Sequence, residues 1–175
     1  MYAMVATRPD LAYVVGVVTR YMSNLGRKHW EAVKHVLRYL RRTKDARQTF
    51  GSNNSIEVDG YINSDYSWNT DSRKSTSRYV FTYGSGAISW RSKLQECKAL
   101  STIEAEYIAT SDASKEAVWL HRLSVAFSVK RRLDRLAPTI SCDSQSAIHL
   151  IRNPVYHAKM KKYRGTVSSH PGARN

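Results

Sequence analysis

The order of helical and strand-like segments restricts the fold of this chain more than any other feature of its sequence. After Thr49, three segments rich in strand-forming residues precede a long helical segment, a short apolar segment and another helical segment. The turn residues Gly84-Ser85-Gly86 separate the second and third strand-like segments and predict a β-hairpin. The order βββ-α-β-α predicts a mixed α/β domain with at least three antiparallel strands.

The limits of these elements follow from residue spacing. Ser101 and Glu104 form a capping-box pattern, so we expect a helix to begin there. Apolar residues at helical spacing continue that helix to about Phe127. The predicted strands cover residues 56–62, 79–83, 87–90 and 138–142, and a last helix covers residues 145–151.

Two further helices are predicted before the sheet. Apolar residues recur at helical spacing over residues 8–24, with Pro9 in the first turn and Gly26 as the end of the helix. A second, basic helix is predicted over residues 28–43. The pair is similar in outline to a DNA-reading helix-turn-helix. An ordinary packed helical hairpin is the favoured interpretation, because no residue pattern indicates base recognition.

The chain carries a large excess of positive charge. Among its 175 residues, 28 Lys and Arg oppose 14 Asp and Glu, which gives a formal net charge of +14. Such an excess favours an anionic partner, and nucleic acid is the leading candidate. The open alternative is a basic surface that serves solubility alone. The hydrophobic content of 42% is sufficient for one core and a small appendage.

Cysteine usage and hydropathy favour an intracellular protein. Cys97 and Cys142 are far apart and have no CxxC partner, so neither a disulfide framework nor a zinc site is predicted. No apolar run approaches the roughly 18 residues of a membrane span, so no membrane partner is expected. Met1 leads directly into a hydrophobic element, which suggests a sequence that was once longer on its N-terminal side.

Acidic residues at the ends of predicted elements are candidate metal ligands. Glu106 lies on the long helix, Asp143 follows the fourth strand, and Asp59 and Asp65 lie near the end of the first strand. Carboxylates that converge from strands and a helix are the ligands that Mg²⁺ requires. Each also has an ordinary explanation. Asp143 fits a helix N-cap, Glu106 an exposed helix residue and Asp65 a turn former.

Six short sequence motifs along the chain carry a resemblance to a known family. They are Arg73-Lys74-Ser75-Thr76-Ser77, Ala87-Ile88-Ser89-Trp90-Arg91-Ser92-Lys93, Ala99-Leu100-Ser101-Thr102, Glu104-Ala105-Glu106-Tyr107-Ile108-Ala109, Cys142-Asp143-Ser144-Gln145-Ser146-Ala147-Ile148 and Asn153-Pro154-Val155-Tyr156-His157-Ala158-Lys159. In this order they resemble the RNase H region of copia-type retrotransposon Pol polyproteins. Upstream, the sequence motifs around Pro9 and Trp30 look like the segment that follows the reverse-transcriptase catalytic region. The resemblance extends from Met1 to about Tyr163.

The resemblance implies an α/β fold of the RNase H-like type, with a mixed sheet flanked by helices and preceded by a helical hairpin. It implies a reverse-transcriptase tail over residues 1–50, an RNase H-like domain over residues 51–163 and a divergent tail over residues 164–175. The implied activity is cleavage of RNA in an RNA–DNA hybrid, with Mg²⁺ or Mn²⁺ as cofactor. The implied partners are the hybrid or another nucleic acid, and a covalently attached reverse transcriptase, in cytoplasmic virus-like particles or the nucleus.

The four acidic positions of this family are only partly matched. Glu106 matches the helix glutamate, and Asp143 matches the aspartate after the fourth strand. Asn63 stands where the leading aspartate belongs, with Asp65 at the second acidic place as a candidate substitute, and Arg164 stands where the last acidic residue is expected. Glu106, Asp143 and Asp65 are therefore the predicted catalytic and metal-binding residues. We expect an impaired ribonuclease H, because an amide cannot supply the negative charge that bridges two cations.

Other departures agree with this expectation. Arg78 replaces a glycine of the family, and the sequence after Arg164 no longer resembles it, so we expect the closing helix to be missing. The polymerase motif Tyr-x-Asp-Asp is absent, so no polymerase activity is expected of this chain alone. Two alternatives remain open. One is a non-catalytic, basic nucleic-acid-binding remnant, and the other is a pseudogene product without function.

Overall fold

The computed structural model describes residues 2–24, 26–51, 57–66, 73–127 and 138–152. The elements in these residues are α1 (Tyr2–Ala6), a 3₁₀ helix (Pro9–Leu11), α2 (Ala12–Thr19), α3 (Arg27–Arg42), β1 (Val58–Asp65), β2 (Thr76–Tyr83), β3 (Gly86–Leu94), α4 (Thr102–Phe127), β4 (Thr139–Ser141) and α5 (Gln145–Arg152). The predicted order βββ-α-β-α is confirmed.

The described strands form one mixed sheet in the order β3-β2-β1-β4. Strands β1 and β2 are antiparallel, and so are β2 and β3. Strand β4 runs parallel to β1, with Gly60 opposite Ile140 and Tyr61 opposite Ser141. A parallel neighbour requires a long crossover connection, which here contains α4. This mixed sheet with helices around it is consistent with the predicted RNase H-like fold.

Helix α4 packs against one face of the sheet through small residues. Ala109 and Ala113 are buried on α4 and belong to one cluster with Ile62 and Phe81 of the sheet. Phe81 is fully buried, and its ring lies against Gly60, where a Cβ atom would overlap it. The small side chains let α4 and the sheet approach closely, so the α4 residues near the end of β1 are held firmly in place.

The N-terminal helices cover part of the opposite face of the sheet. Trp90 of β3 donates a hydrogen bond from Nε1 to the carbonyl oxygen of Met4 at 2.7 Å. Arg20 donates from Nη2 to Oγ1 of Thr76 on β2 at 3.2 Å. The sheet therefore has helices on both faces, as the sequence predicts.

The prediction of one helix over residues 8–24 is wrong. A 3₁₀ helix comes first, and α2 ends at Thr19, because the N–H of Arg20 bonds the carbonyl of Val17 at 3.2 Å and so tightens the last turn. Gly26 does not end this helix but precedes α3, where its N–H donates to Nδ1 of His29 at 3.2 Å. The second predicted helix is confirmed as α3.

Parts of the predicted organisation lie outside the described residues. These parts are Arg164, the tail over residues 164–175, and the region where the closing helix of the family would lie. The boundaries at residues 50 and 163 stay predictions. Among the described residues, no helix is both long and apolar enough to cross a membrane.

Candidate metal centre at the end of strand β1

Glu106 connects the first turns of α4 to the end of β1. Its Oε1 accepts a hydrogen bond from the backbone N–H of Ser64 at 3.1 Å. Its Oε2 is buried and has no hydrogen-bond partner in the described part of the chain. Ser101 caps the helix by accepting the N–H of Glu104 at 3.1 Å, as predicted. The carboxylate of Glu104 accepts the N–H of Leu100 at 2.7 Å and not that of Ser101, so the other half of the predicted capping box is not formed. Glu106 is therefore not an ordinary exposed helix residue.

The surroundings of Glu106 disfavour its charged form. Burial raises the pKa of the Glu106 carboxyl above its ordinary value, although hydrogen bonding by Ser64 lowers it. The negative charges of Asp143 and Asp65 raise the pKa further. A half-buried carboxylate with one free oxygen and two acidic neighbours would be stabilised by a nearby cation.

Asp143 lies beside Glu106, just after β4. Ligand atoms of Glu106, Asp143 and Cys142 all lie within 4.8 Å of one another, and Asp143 is exposed. The N-cap of α5 is Ser144, whose Oγ accepts the N–H of Ala147 at 3.2 Å. Since Ser144 already fills the cap position, Asp143 is not needed for capping, and its carboxylate is left beside Glu106.

The two candidate residues on β1 have different surroundings. Asn63 is exposed and lies directly opposite Arg78 in the β1–β2 pairing. Asp65 forms an ion pair with Arg78, in which the exposed fractions of the two side chains are 28% and 30%. The Arg78 guanidinium also lies over the ring of Tyr13, 4.5 Å from its centroid. Asp65 is thus a strand residue held by a cation and not a turn former.

The described residues fit one divalent cation but not a pair. Carboxylate oxygens of Glu106 and Asp143 lie close enough together to hold one ion, whereas the sulfur of Cys142 beside them is a soft ligand that Mg²⁺ does not favour. A second ion would need an anionic bridge from β1. Asn63 offers only a neutral amide there, and Asp65 already has a cationic partner in Arg78.

Known proteins resemble the chain along most of its length. It is 51% identical over 161 residues to the Pol polyprotein from transposon TNT 1-94 of Nicotiana tabacum, which covers 92% of this chain and 12% of that protein. It is 36% identical over 155 residues to the Pol polyprotein from transposon RE2 of Arabidopsis thaliana, or 89% of this chain and 10% of that protein. It is also 47% identical over 120 residues to secreted RxLR effector protein 161 of Plasmopara viticola, or 69% of this chain and 84% of that protein.

These homologues include retrotransposon Pol polyproteins of the copia type. The chain spans only about a tenth of the length of the Pol polyproteins it matches, in agreement with the expectation that it was once part of a polyprotein. No protein-family model matches this chain, and no solved structure matches it significantly.

Some neighbours of the candidate centre were missed by the sequence reasoning. The Pol resemblance marked Arg78 as a departure but did not identify Asp65 or Tyr13 as its partners. Cys142 was treated only as an isolated thiol, although it lies next to Glu106 and Asp143. The alternation of side chains along β1 puts Asn63 and Asp65 on one face, and this signal could have drawn attention to their cross-strand neighbour.

Proposed function

We propose that this chain is an RNase H-like domain of retrotransposon origin, whose ancestral activity is cleavage of RNA in RNA–DNA hybrids and whose catalytic rate in this copy is strongly reduced. The observation that carries the proposal is the position of Glu106. It reaches from α4 to the backbone of β1 and lies beside Asp143. These are the two acidic residues that the family resemblance carries over without change.

The charge of the chain supports a nucleic-acid partner. The net charge is +14, and α3 alone presents a series of exposed cations. They are Arg27, Lys28, Lys34, Arg38, Arg41 and Arg42. Lysine and arginine side chains at a surface bind phosphate groups and release counterions, whatever the base sequence. A hybrid duplex is a substrate of matching charge.

The acidic residues support a single bound divalent ion. Glu106 and Asp143 would hold Mg²⁺ or Mn²⁺, which in phosphodiester hydrolysis supplies an activated water. Glu106 would position the ion relative to β1, because its other oxygen is fixed by the N–H of Ser64. Asn63 cannot bridge a second ion. Loss of such a bridge reduces the rate by about 10³-fold or more, equivalent to several kcal/mol of transition-state stabilisation.

The second candidate is a non-catalytic nucleic-acid-binding remnant. The ion pair between Asp65 and Arg78 favours this candidate, because Arg78 neutralises a carboxylate that could otherwise bind a metal ion. Such a protein would bind nucleic acid through its positive charge alone. It would not distinguish a hybrid from duplex DNA, since counterion release depends on phosphate density more than on helix type.

A binding titration separates these candidates. We expect purified protein to bind a labelled RNA–DNA hybrid, with an association constant that falls steeply as salt increases, and to prefer the hybrid over duplex DNA of the same sequence. Equal affinity for both duplexes would support the non-catalytic remnant. Salt-independent or absent binding, together with a non-cooperative thermal melt, would contradict both and indicate a poorly folded product.

A further inference from the structure

We propose that Arg78 acts as a built-in cation that takes Asp65 out of metal binding and so limits the candidate centre to one divalent ion. This inference rests on the proposed function, because it concerns the same acidic centre. It goes further by identifying a second change, beside Asn63, that weakens metal binding. It also implies that Asn63→Asp alone does not restore the centre.

Arg78 is placed beside the acidic positions by the pairing of the sheet. Antiparallel pairing puts Arg78 of β2 directly opposite Asn63 of β1, and its guanidinium extends along β1 to Asp65. Arg78 therefore contacts the second of the two β1 positions at which the family has acidic residues and lies next to the first. A positive charge at this point repels a divalent cation and competes for the carboxylate that would bind it.

Arg78 is also held in this position by a neighbouring helix. Its guanidinium lies over the Tyr13 ring at 4.5 Å, and Tyr13 belongs to α2, which covers that face of the sheet. Most of each side chain in the ion pair is removed from solvent, since the exposed fractions are 30% and 28%. A partly buried pair is screened less by salt than a surface pair. The contact with Tyr13 also reduces the freedom of Arg78 to leave Asp65.

Glu106 and Asp143, whose ligand atoms lie within 4.8 Å of each other, differ from Asp65, which is outside that cluster but near enough for its charge to raise the pKa of Glu106. Glu106 and Asp143 have no cation of this kind beside them among the described ion pairs, and Oε2 of Glu106 lacks any described hydrogen-bond partner. These two carboxylates stay available to an ion. Asp65 instead has a cation supplied by the protein itself. Glu106 and Asp143 can therefore bind a divalent cation, whereas Asp65 is already paired with Arg78.

Mn²⁺ binding tests this proposal independently of nuclease activity. Unbound Mn²⁺ gives a paramagnetic resonance signal, so a titration counts the bound ions and measures their affinity. We expect wild-type protein to bind one Mn²⁺ weakly and Arg78→Gln to bind Mn²⁺ about tenfold more tightly, because Asp65 is released. Asn63→Asp combined with Arg78→Gln should bind a second ion, with a gain larger than the two single changes predict together.

Two control variants separate the local ion pair from the general loss of charge. Arg78→Lys keeps the cation and should retain the weak affinity of the wild type. Arg91→Gln removes one positive charge from the neighbouring strand β3, opposite Tyr79, and should also leave the affinity unchanged. If Arg78→Gln does not fold, Arg78→Ser replaces it, since serine also removes the charge.

Two results would overturn the proposal. One is wild-type Mn²⁺ affinity in a cooperatively folded Arg78→Gln or Arg78→Ser protein. The other is an equal gain in Arg91→Gln. Hybrid binding without added metal is measured on the same proteins. A wild type that binds no hybrid would contradict the proposed function alone, while the Mn²⁺ titrations would still decide the role of Arg78.

Discussion

Glu106 has the most unusual surroundings of the candidate residues, because one oxygen is bound to the backbone of β1 and the other is buried without a described partner. Burial raises the pKa of this carboxyl, as do the charges of Asp143 and Asp65. The folded protein therefore binds the Glu106 proton more tightly than the unfolded chain does. The stability that this proton contributes is present at low pH and is lost as pH rises through the raised pKa.

We predict that Glu106→Gln raises the thermal unfolding midpoint modestly at neutral pH. Glutamine removes the unfavourable charge, and its amide oxygen can still accept the N–H of Ser64. The difference should shrink as pH falls and Glu106 becomes protonated in the wild type. Thermal melts of both proteins across this pH range provide the measurement. A lower midpoint for Glu106→Gln at neutral pH would show that the folded protein favours the charged carboxylate over a neutral side chain.

Individual residues also show how far the sequence predicts the site. Glu106 and Asp143 were predicted from the family resemblance, and their side chains lie together. The partnership of Arg78 with Asp65 was not predicted. Alternation along a strand shows which residues share a face, but it does not fix which residue of the next strand lies opposite. That register depends on the whole β1–β2 pairing, which runs without a break from Val58 opposite Tyr83 to Asp65 opposite Thr76.

Among the helices and strands, the packing of α4 on the sheet fixes the position of Glu106. Gly60 of β1 permits this packing, because a Cβ atom there would overlap the fully buried ring of Phe81. We predict that Gly60→Ala destabilises the protein by about 1–3 kcal/mol, the usual cost of overpacking a core. Chemical denaturation followed by circular dichroism measures this change.

Gly16→Ala is the matched control for this prediction. Gly16 lies on α2, and its nearest neighbour to an added Cβ would be the Ser92 carbonyl oxygen at an ordinary 3.8 Å. Alanine in a helix is favoured over glycine by up to about 1 kcal/mol, so this variant should be neutral or more stable. Equal destabilisation by both substitutions would contradict the role assigned to the Gly60–Phe81 contact.

The elements were predicted more reliably than their limits. The long helix α4 has an N-cap serine, Ser101, and many apolar positions, and it is found at residues Thr102–Phe127. Strand β2 begins at Thr76, earlier than predicted, because its pairing with β1 continues as far as Thr76 opposite Asp65. The residues at this end, Ser75, Thr76 and Ser77, are polar and buried. Gln95 provides a partner for one of these buried hydroxyls, because its Nε2 donates a hydrogen bond to Oγ of Ser77 at 2.8 Å. Polar residues in a strand give no hydrophobic pattern, so hydrophobic periodicity does not predict such an extension.

The chain as a whole combines a mixed α/β fold, a net charge of +14 and a cluster of acidic residues at the end of β1. The fold class follows from the order of elements, and the retroelement origin follows from the identity to the Pol polyproteins. In the proposed function, the rate of cleavage depends on the electrostatic effect of Asn63, Asp65 and Arg78. We therefore predict affinity for nucleic acid together with a low cleavage rate.

Cleavage of an end-labelled RNA–DNA hybrid by the purified chain is the decisive measurement of the proposed reduction in activity. Wild-type protein and Glu106→Gln are compared in Mg²⁺ and in Mn²⁺, at a protein concentration at which the hybrid is bound. We predict little or no cleavage by the wild type in either metal, and therefore little difference between the two proteins. Efficient cleavage by the wild type that Glu106→Gln abolishes would contradict an impaired centre and show that Asp65 serves in place of the missing aspartate at Asn63.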